Sequence, residues 1–267
     1  MTPVEISRGE SPVVLGLPHT GTWLPADVAA RLNPTGRALA DTDWHIDQLY
    51  AGLLPGATTV RATFHRYLVD ANRDPSGESL YPGRNTTGLC PETDFDGRPI
   101  WQDGAGPDAA EIAARRDAYH AAYHAALEAE LARVEARHGI AVLYDCHSIR
   151  SHIPHLFEGR LPDLNIGTND GTSCSAELES TVKGICVRSD RYSTVLNGRF
   201  KGGWTTRQYG RPAVRRHAIQ MEIAQRCYME ETPPWAWRDA KAARLRGLLK
   251  EVLAAVEAWA FREVGHG

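Results

Sequence analysis

The sequence predicts an α/β fold built on a mostly parallel or mixed sheet. Apolar runs with the length and β-branched content of strands recur at 12–17, 57–62, 66–71, 140–144, 193–196 and 217–223, and helix-like stretches separate them. Two of these runs end in polar tetrads that carry a histidine. Val13-Val14-Leu15-Gly16-Leu17 leads into Pro18-His19-Thr20-Gly21, and Ile140-Ala141-Val142-Leu143-Tyr144 leads into Asp145-Cys146-His147-Ser148. A sheet interior rejects such groups, so both tetrads are expected as turns at the carboxyl ends of strands, the edge where open α/β sheets hold ligands. Two imidazoles distant in sequence can meet there, and a metal site is the economical reading.

The clearest helix spans about 107–138, where Ile112, Tyr119, Tyr123, Leu127, Leu131 and Val134 recur at steps of three, four or their multiples. Pro107-Asp108 opens it and Gly139 closes it. A second amphipathic helix is expected over about 239–261, with Leu245, Leu248, Leu249, Val252, Leu253, Val256 and Trp259 as the stripe that covers a sheet face. Segments 74–106 and 149–172 lack a period and read as long functional or lid-like loops. No repeat or linker divides the chain, so residues 1–267 are expected to form one domain.

With 267 residues, 42% of them hydrophobic, the chain can bury a sizeable core, and a formal charge of −3 gives no electrostatic reason to expect nucleic acid or an anionic membrane. Lysine occurs only at 183, 201, 241 and 250, and arginine supplies the other basic positions, a fork suited to bidentate carboxylate binding. Cys90, Cys146, Cys174, Cys186 and Cys227 contain no CxxC pair, which argues against a disulfide framework or thiolate zinc site. The opening residues hold no apolar leader-like run, and a cytoplasmic protein is expected.

Four clusters can carry chemistry. Strand alternation places Asp145 and His147 on one side and Cys146 on the other, so Asp145 can orient an imidazole or ligate, and His147 can bind metal. Asp41-Thr42-Asp43-Trp44-His45-Ile46-Asp47 opens a helix-like segment; Asp43 and Asp47 at helical spacing would share a face, and one of them can complete a His/Asp/His site. Arg66, Leu68, Asp70 and Asn72 would project together from a strand, with Arg73 on the next turn, a group that suits a carboxylate clamp. Glu222 interrupts the apolar run from His217 to Ala224; if buried, it gains the raised pKa of a general base. Serine-hydrolase GxSxG and zincin HExxH signatures are both missing from the chain.

These segments resemble the N-formylglutamate amidohydrolases (N-formylglutamate deformylases) of histidine degradation across most of the chain. The similarity includes PHTGTWLP at 18–25, DTDWHID at 41–47, RYLVDANRDP at 66–75, LYPG at 80–83 and TGLCP at 87–91. It continues through DCHSIRS at 145–151, FEGRLPDLNIGT at 157–168, NGRFKGGWTTRQYG at 197–210 and HAIQMEIAQ at 217–225. A fainter similarity to zinc carboxypeptidases and aspartoacylases implies a three-layer α/β/α fold around a mixed sheet, of the phosphorylase/hydrolase-like kind.

Carried onto this chain, the resemblance implies His19 and His147 as metal ligands, a D-x-N-R turn at Asp70–Arg73 that contacts substrate, Glu222 as base, and Arg66 polarising the amide oxygen. The glutamate expected three residues after the first histidine is replaced by Thr22, which makes Asp43 the third ligand, with Asp47 or His45 as alternatives. The implied cofactor is a divalent metal, zinc first, with cobalt, nickel or manganese as substitutes. Asn72, Arg73, Arg150, Arg199 and Arg207 are the candidates for binding the carboxylates of a small acidic substrate. The implied reaction releases formate from N-formyl-L-glutamate as the last step of a histidine degradation route. Rival readings are a metal-dependent amidase for another N-acyl acidic amino acid or short peptide, and a non-catalytic acidic-ligand binder.

Overall fold

A computed structural model describes residues 2–80 and 83–265 of the chain. Tyr81 and Pro82 of the LYPG stretch lie outside the described residues. Seven strands, β1 (Val4–Ser7), β2 (Val13–Leu17), β3 (Thr58–Ala62), β4 (Ala141–Ile149), β5 (Leu164–Gly167), β6 (Thr194–Leu196) and β7 (Arg216–Ala224), form one sheet in the order β1-β3-β2-β4-β7-β5-β6. The central run β3-β2-β4-β7 is parallel, β5 pairs antiparallel with β7, and β1 pairs antiparallel with β3. The sheet is therefore mixed, as expected.

Among the described residues the α-helices are α1 (Ala26–Arg31), α2 (Pro34–Arg37), α3 (Ile46–Tyr50), α4 (Ala109–Arg115), α5 (Ala121–His138), α6 (Ala176–Arg188), α7 (Trp204–Tyr209) and α8 (Asp239–Gly265). Strand alternation sorts the core into two layers. Val14, Leu143 and Ala218 pack with Tyr123, Leu127, Leu131 and Val134 of α5. Leu15, Tyr144 and Ile219 face the other way, toward α3, α6 and α8. Because both faces are covered, the central strands can be apolar on both sides, which is why they read as continuous runs.

The anticipated long helix is present but interrupted. Asp108 caps its start by accepting from Glu111 N at 2.8 Å, and Gly139 ends it in the left-handed region at φ 70°, a conformation that glycine adopts without strain. Between α4 and α5, residues Arg116–His120 form a π-helical turn.

Several expectations need correction. Residues 66–71 form no strand; the Asp70 carboxylate accepts from Asn72 N at 2.8 Å, and Leu68 N donates to His65 O at 2.9 Å, so local turns overrule β propensity. Asp145–Ser148 is no turn but the continuation of β4, which pairs with β7 all the way to Ile149↔Ala224. Asp43 precedes α3, so it shares no helical face with Asp47, which is exposed beside Arg61. The short strands β1 and β5 and helix α6 were not legible, and β5 lies inside the stretch read as loop 149–172.

His217 and His124 each hydrogen-bond to a backbone group. His217 Nδ1 accepts from Ser175 N at 3.1 Å and its ring meets Trp259 edge-on at 4.8 Å, while His124 Nε2 donates to Ala71 O at 2.8 Å. Burial pushes the imidazole of His217 down to about 4 and that of His124 down to about 3. In the unfolded chain both titrate near ~6.5. Below that value the unfolded chain binds more protons, so stability is full above about pH 6.5 and declines as the pH falls toward the folded values. Urea midpoints measured down to about pH 4 should show this decline, and His217→Gln should flatten it. Trp259→Ala should cost about 3–5 kcal/mol in the same assay at neutral pH.

Candidate functional site

The parallel centre of the sheet delivers its carboxyl ends to one cavity of about 260 Å³. His19 lies two residues beyond β2; His147 and Glu222 lie opposite each other near the ends of β4 and β7. Asp43 is brought alongside by its own backbone, since its N–H donates to His19 O at 3.1 Å. His19, Asp43, Glu222, Arg66, Asn72, Arg73 and Arg199 all reach the cavity wall.

His19, Asp43 and His147 form a buried cluster whose ligand atoms lie within 4.8 Å of one another. Both imidazoles turn Nδ1 toward Asp43 Oδ2, at 3.8 Å for His19 and 3.2 Å for His147. Each Nε2 is backed by a second carboxylate, Asp70 at 2.7 Å behind His19 and Asp145 at 3.1 Å behind His147. Carboxylate-backed imidazoles of this kind are ready-made metal ligands, with tautomer and ring orientation set from behind. His19 Nδ1 and Asp43 Oδ1 are buried without a hydrogen-bond partner, a costly state that a cation between them would relieve. The residues present can hold a metal ion, and their imidazole and carboxylate donors suit zinc.

The electrostatics point the same way. The carboxyl groups of Asp43, Asp70, Asp145 and Glu222 outnumber the guanidinium groups of Arg66 and Arg73 in this buried space. Burial alone would favour protonation of Asp43, yet the hydrogen bond from His147 and the nearby imidazole of His19 hold its carboxyl below the ordinary range. Burial likewise opposes ionisation of Asp70, and the charges of Arg66, Arg73 and His19 overcome it. His147 is pushed well above its usual value against the effect of burial, chiefly by Asp145. Glu222 behaves differently: burial raises its carboxyl to about 7, only partly opposed by His147. A proton-accepting group poised near neutrality therefore stands beside carboxylates that stay ionised.

Arg66 is buried, with Nη2 at 2.5 Å from Asp70 Oδ2, Nη1 at 3.7 Å from Asp43 Oδ1, and its guanidinium 4.6 Å from the centre of the Phe95 ring. Arg73 donates to Thr87 O at 2.8 Å and Thr87 Oγ1 at 2.9 Å, which aims its fork along the wall. Arg199 donates to Leu156 O and Asn85 O across the cavity. Arg150 and Arg207 are not among the described residues of that wall. Arg150 pairs with Asp96 at 3.1 Å, and Arg207 donates to Gly202 O and Leu80 O. Of the alternatives to Asp43, Asp47 faces solvent, and His45 hydrogen-bonds Trp235 O at 2.7 Å away from the cluster. Cys146 points into the opposite core layer, where burial raises its thiol well above the usual range.

Two contributors escaped the sequence reading. Gln220 donates to Glu222 Oε2 at 3.2 Å and accepts from Gly203 N at 2.8 Å. The signal was there, because Gln220 is the polar residue two positions before Glu222 and must share its face. Gly203 is the second: a Cβ on it would fall 2.3 Å from Asn72 Nδ2, so only glycine lets α7 approach the Asn72 side chain, whose Oδ1 accepts from Thr205 N at 2.9 Å.

Fold and site together define an α/β/α protein in which neighbouring parallel strands deliver a candidate metal cluster and a near-neutral glutamate to an arginine-walled cavity. The chain belongs to the N-formylglutamate amidohydrolase family, whose sequence model matches residues 11–229. It is 46% identical over 262 residues to the N-formylglutamate deformylase of Pseudomonas aeruginosa, covering 96% of each chain. The same-named protein of Pseudomonas putida is 45% identical over 253 residues, 94% of each. A crystal structure of N-formylglutamate amidohydrolase from Ralstonia eutropha JMP134 superposes with a TM-score of 0.78 at 29% identity, covering 100% of this chain and 98% of the other. An Agrobacterium tumefaciens protein of known structure shares the fold at 18% identity, with a TM-score of 0.64 over 96% of this chain and 95% of its own.

The purified protein should take up one divalent ion per chain, read by elemental analysis after dialysis. Asp43→Asn should abolish stoichiometric uptake, and Asp145→Asn should weaken affinity by about 10–100-fold in a competition titration. Unchanged uptake by the Asp43 variant would remove it from the ligand set.

Proposed function

We propose that this protein hydrolyses N-formyl-L-glutamate to formate and L-glutamate in a metal-dependent reaction. The observation that carries the reading is near-full-length relatedness to two N-formylglutamate deformylases, and the cavity supplies the groups such a reaction needs. His19, Asp43 and His147 would hold the ion, with Asp70 and Asp145 fixing the two imidazoles. When bound, a divalent cation supplies Lewis-acid polarisation of the formyl group and acidifies water.

The chain's own groups divide the remaining work. Glu222, raised to about 7 by burial, takes a proton from the attacking water near neutral pH and returns it to the departing amine nitrogen. The water oxygen bonds to the formyl carbon, the carbon–nitrogen bond breaks, and the proton carried by Glu222 neutralises the amine. Gln220 steadies the carboxyl group of Glu222 through its side-chain amide. Arg66, held by Asp70, presents positive charge where the formyl oxygen becomes anionic. Arg73 and Arg199 on the cavity wall receive the substrate carboxylates, Arg73 with its fork set by Thr87. The glutamate released would complete a histidine degradation route.

Formate release from N-formyl-L-glutamate should be abolished by chelator and restored by zinc; absence of release from metal-replete protein overturns the substrate assignment. Glu222→Gln should keep its metal and lose turnover by about 10²–10⁴-fold. Arg73→Lys should raise KM by about tenfold or more, because an ammonium cannot reproduce the bidentate pair.

A further inference from the structure

The turn that carries Asn72 and Arg73 is held from behind by a single helix. Arg115 Nη1 donates to Leu68 O at 3.1 Å, His120 Nε2 to Arg73 O at 2.9 Å, and His124 Nε2 to Ala71 O at 2.8 Å. These three donors belong to α4, the π turn and α5 in succession. In an uninterrupted α-helix, residues five apart such as Arg115 and His120 would point about 140° away from each other. The wider π turn at Arg116–His120 brings them to one side, so that all three meet the same segment.

The two imidazoles act as a pair, with ring centroids 4.3 Å apart. Burial lowers the pKa of both, which keeps them neutral and leaves each a single N–H, directed by the carbonyl it meets. His124 also spans to α7 through Nδ1 and Tyr209 Oη at 2.9 Å, and the start of α7 holds Asn72 through Thr205 N. The carbonyls on either side of Asn72 are thus fixed by α5 and the π turn, and its side chain by α7. Arg115, His120, His124 and Tyr209 are not among the described residues that line the cavity, so they act on it through this turn.

We propose that His120 and His124 are positioning residues for the reaction: through the carbonyls of Arg73 and Ala71 they set where the Arg73 fork meets the substrate carboxylate, and the π turn exists to present them. The inference rests on Arg73 being a substrate-binding group. Positioning energy of this kind is spent on binding, so its loss appears in KM before it appears in turnover.

The test compares His120→Leu, which fills the space without a donor, with His120→Gln, which keeps an N–H at similar reach. Loss of the hydrogen bond in His120→Leu should raise KM for N-formyl-L-glutamate by about tenfold, with kcat within about twofold of the parent. Metal content should be unchanged. Amide exchange across residues 69–75 should quicken in His120→Leu, and His120→Gln should return both KM and exchange toward the parent values. An unchanged KM in a His120→Leu enzyme that still releases formate overturns the positioning role alone. Equal losses of kcat and metal overturn it in favour of support for the ligands. No formate release by the parent protein overturns instead the functional reading beneath it.

Discussion

Parallel register between β4 and its neighbours is the constraint on which the site depends. Gly16 of β2 stands opposite Asp145 of β4, and His147 stands opposite Glu222 of β7. A slip of one residue would send Asp145, His147 and Glu222 into the apolar layer that now holds Cys146 and Met221. Burial of both sheet faces makes such a slip prohibitive, so the packing that stabilises the fold also aims the chemistry. The last residues of β4 and β7 can be polar inside an otherwise apolar sheet because the cluster supplies their partners.

Around that frame the site is organised by carboxylates. Asp43 accepts from Ser148 N at 3.1 Å as well as facing both imidazoles, which ties the loop before α3 to β4. Asp70 meets His19, Arg66 and Asn72 N at once, which ties the candidate ligand set to the arginines of the cavity. Acidic groups buried at this density require compensating positive charge. Arginine supplies part of it, and the unpartnered atoms of His19 and Asp43 mark where a bound cation could supply the rest. Asp70 therefore links the candidate ligand His19 to Arg66 and to the turn that carries Asn72.

Legibility in the sequence followed locality. Strands β2, β3, β4, β6 and β7 and the helices α5 and α8 announced themselves by period and by end signals, because each buries a face that its own residues encode. Strand β5 did not, since four residues between polar loops carry too little pattern, and β1 is an edge strand with mostly exposed side chains. Residues 66–73 misled for a different reason: Tyr67, Leu68 and Val69 have strand character, but Asp70 closes a local turn that no period reveals. The extension of β4 through Ser148 was hidden because polar residues in a sheet interior look like a strand's end unless their partners are known.

Period and residue type by themselves determined an α/β class with a mostly parallel or mixed sheet and the clusters in which chemistry could reside, because these depend on local pattern, while resemblance to known families implied the three-layer arrangement and the family. Tertiary structure alone decided among the candidates. It set Asp43 rather than Asp47 or His45 beside the histidines, put Arg73 and Arg199 on the cavity wall, and occupied Arg150 and Arg207 elsewhere. Those outcomes turn on distances between residues tens to hundreds of positions apart, which strand register and helix packing fix and which no local window contains.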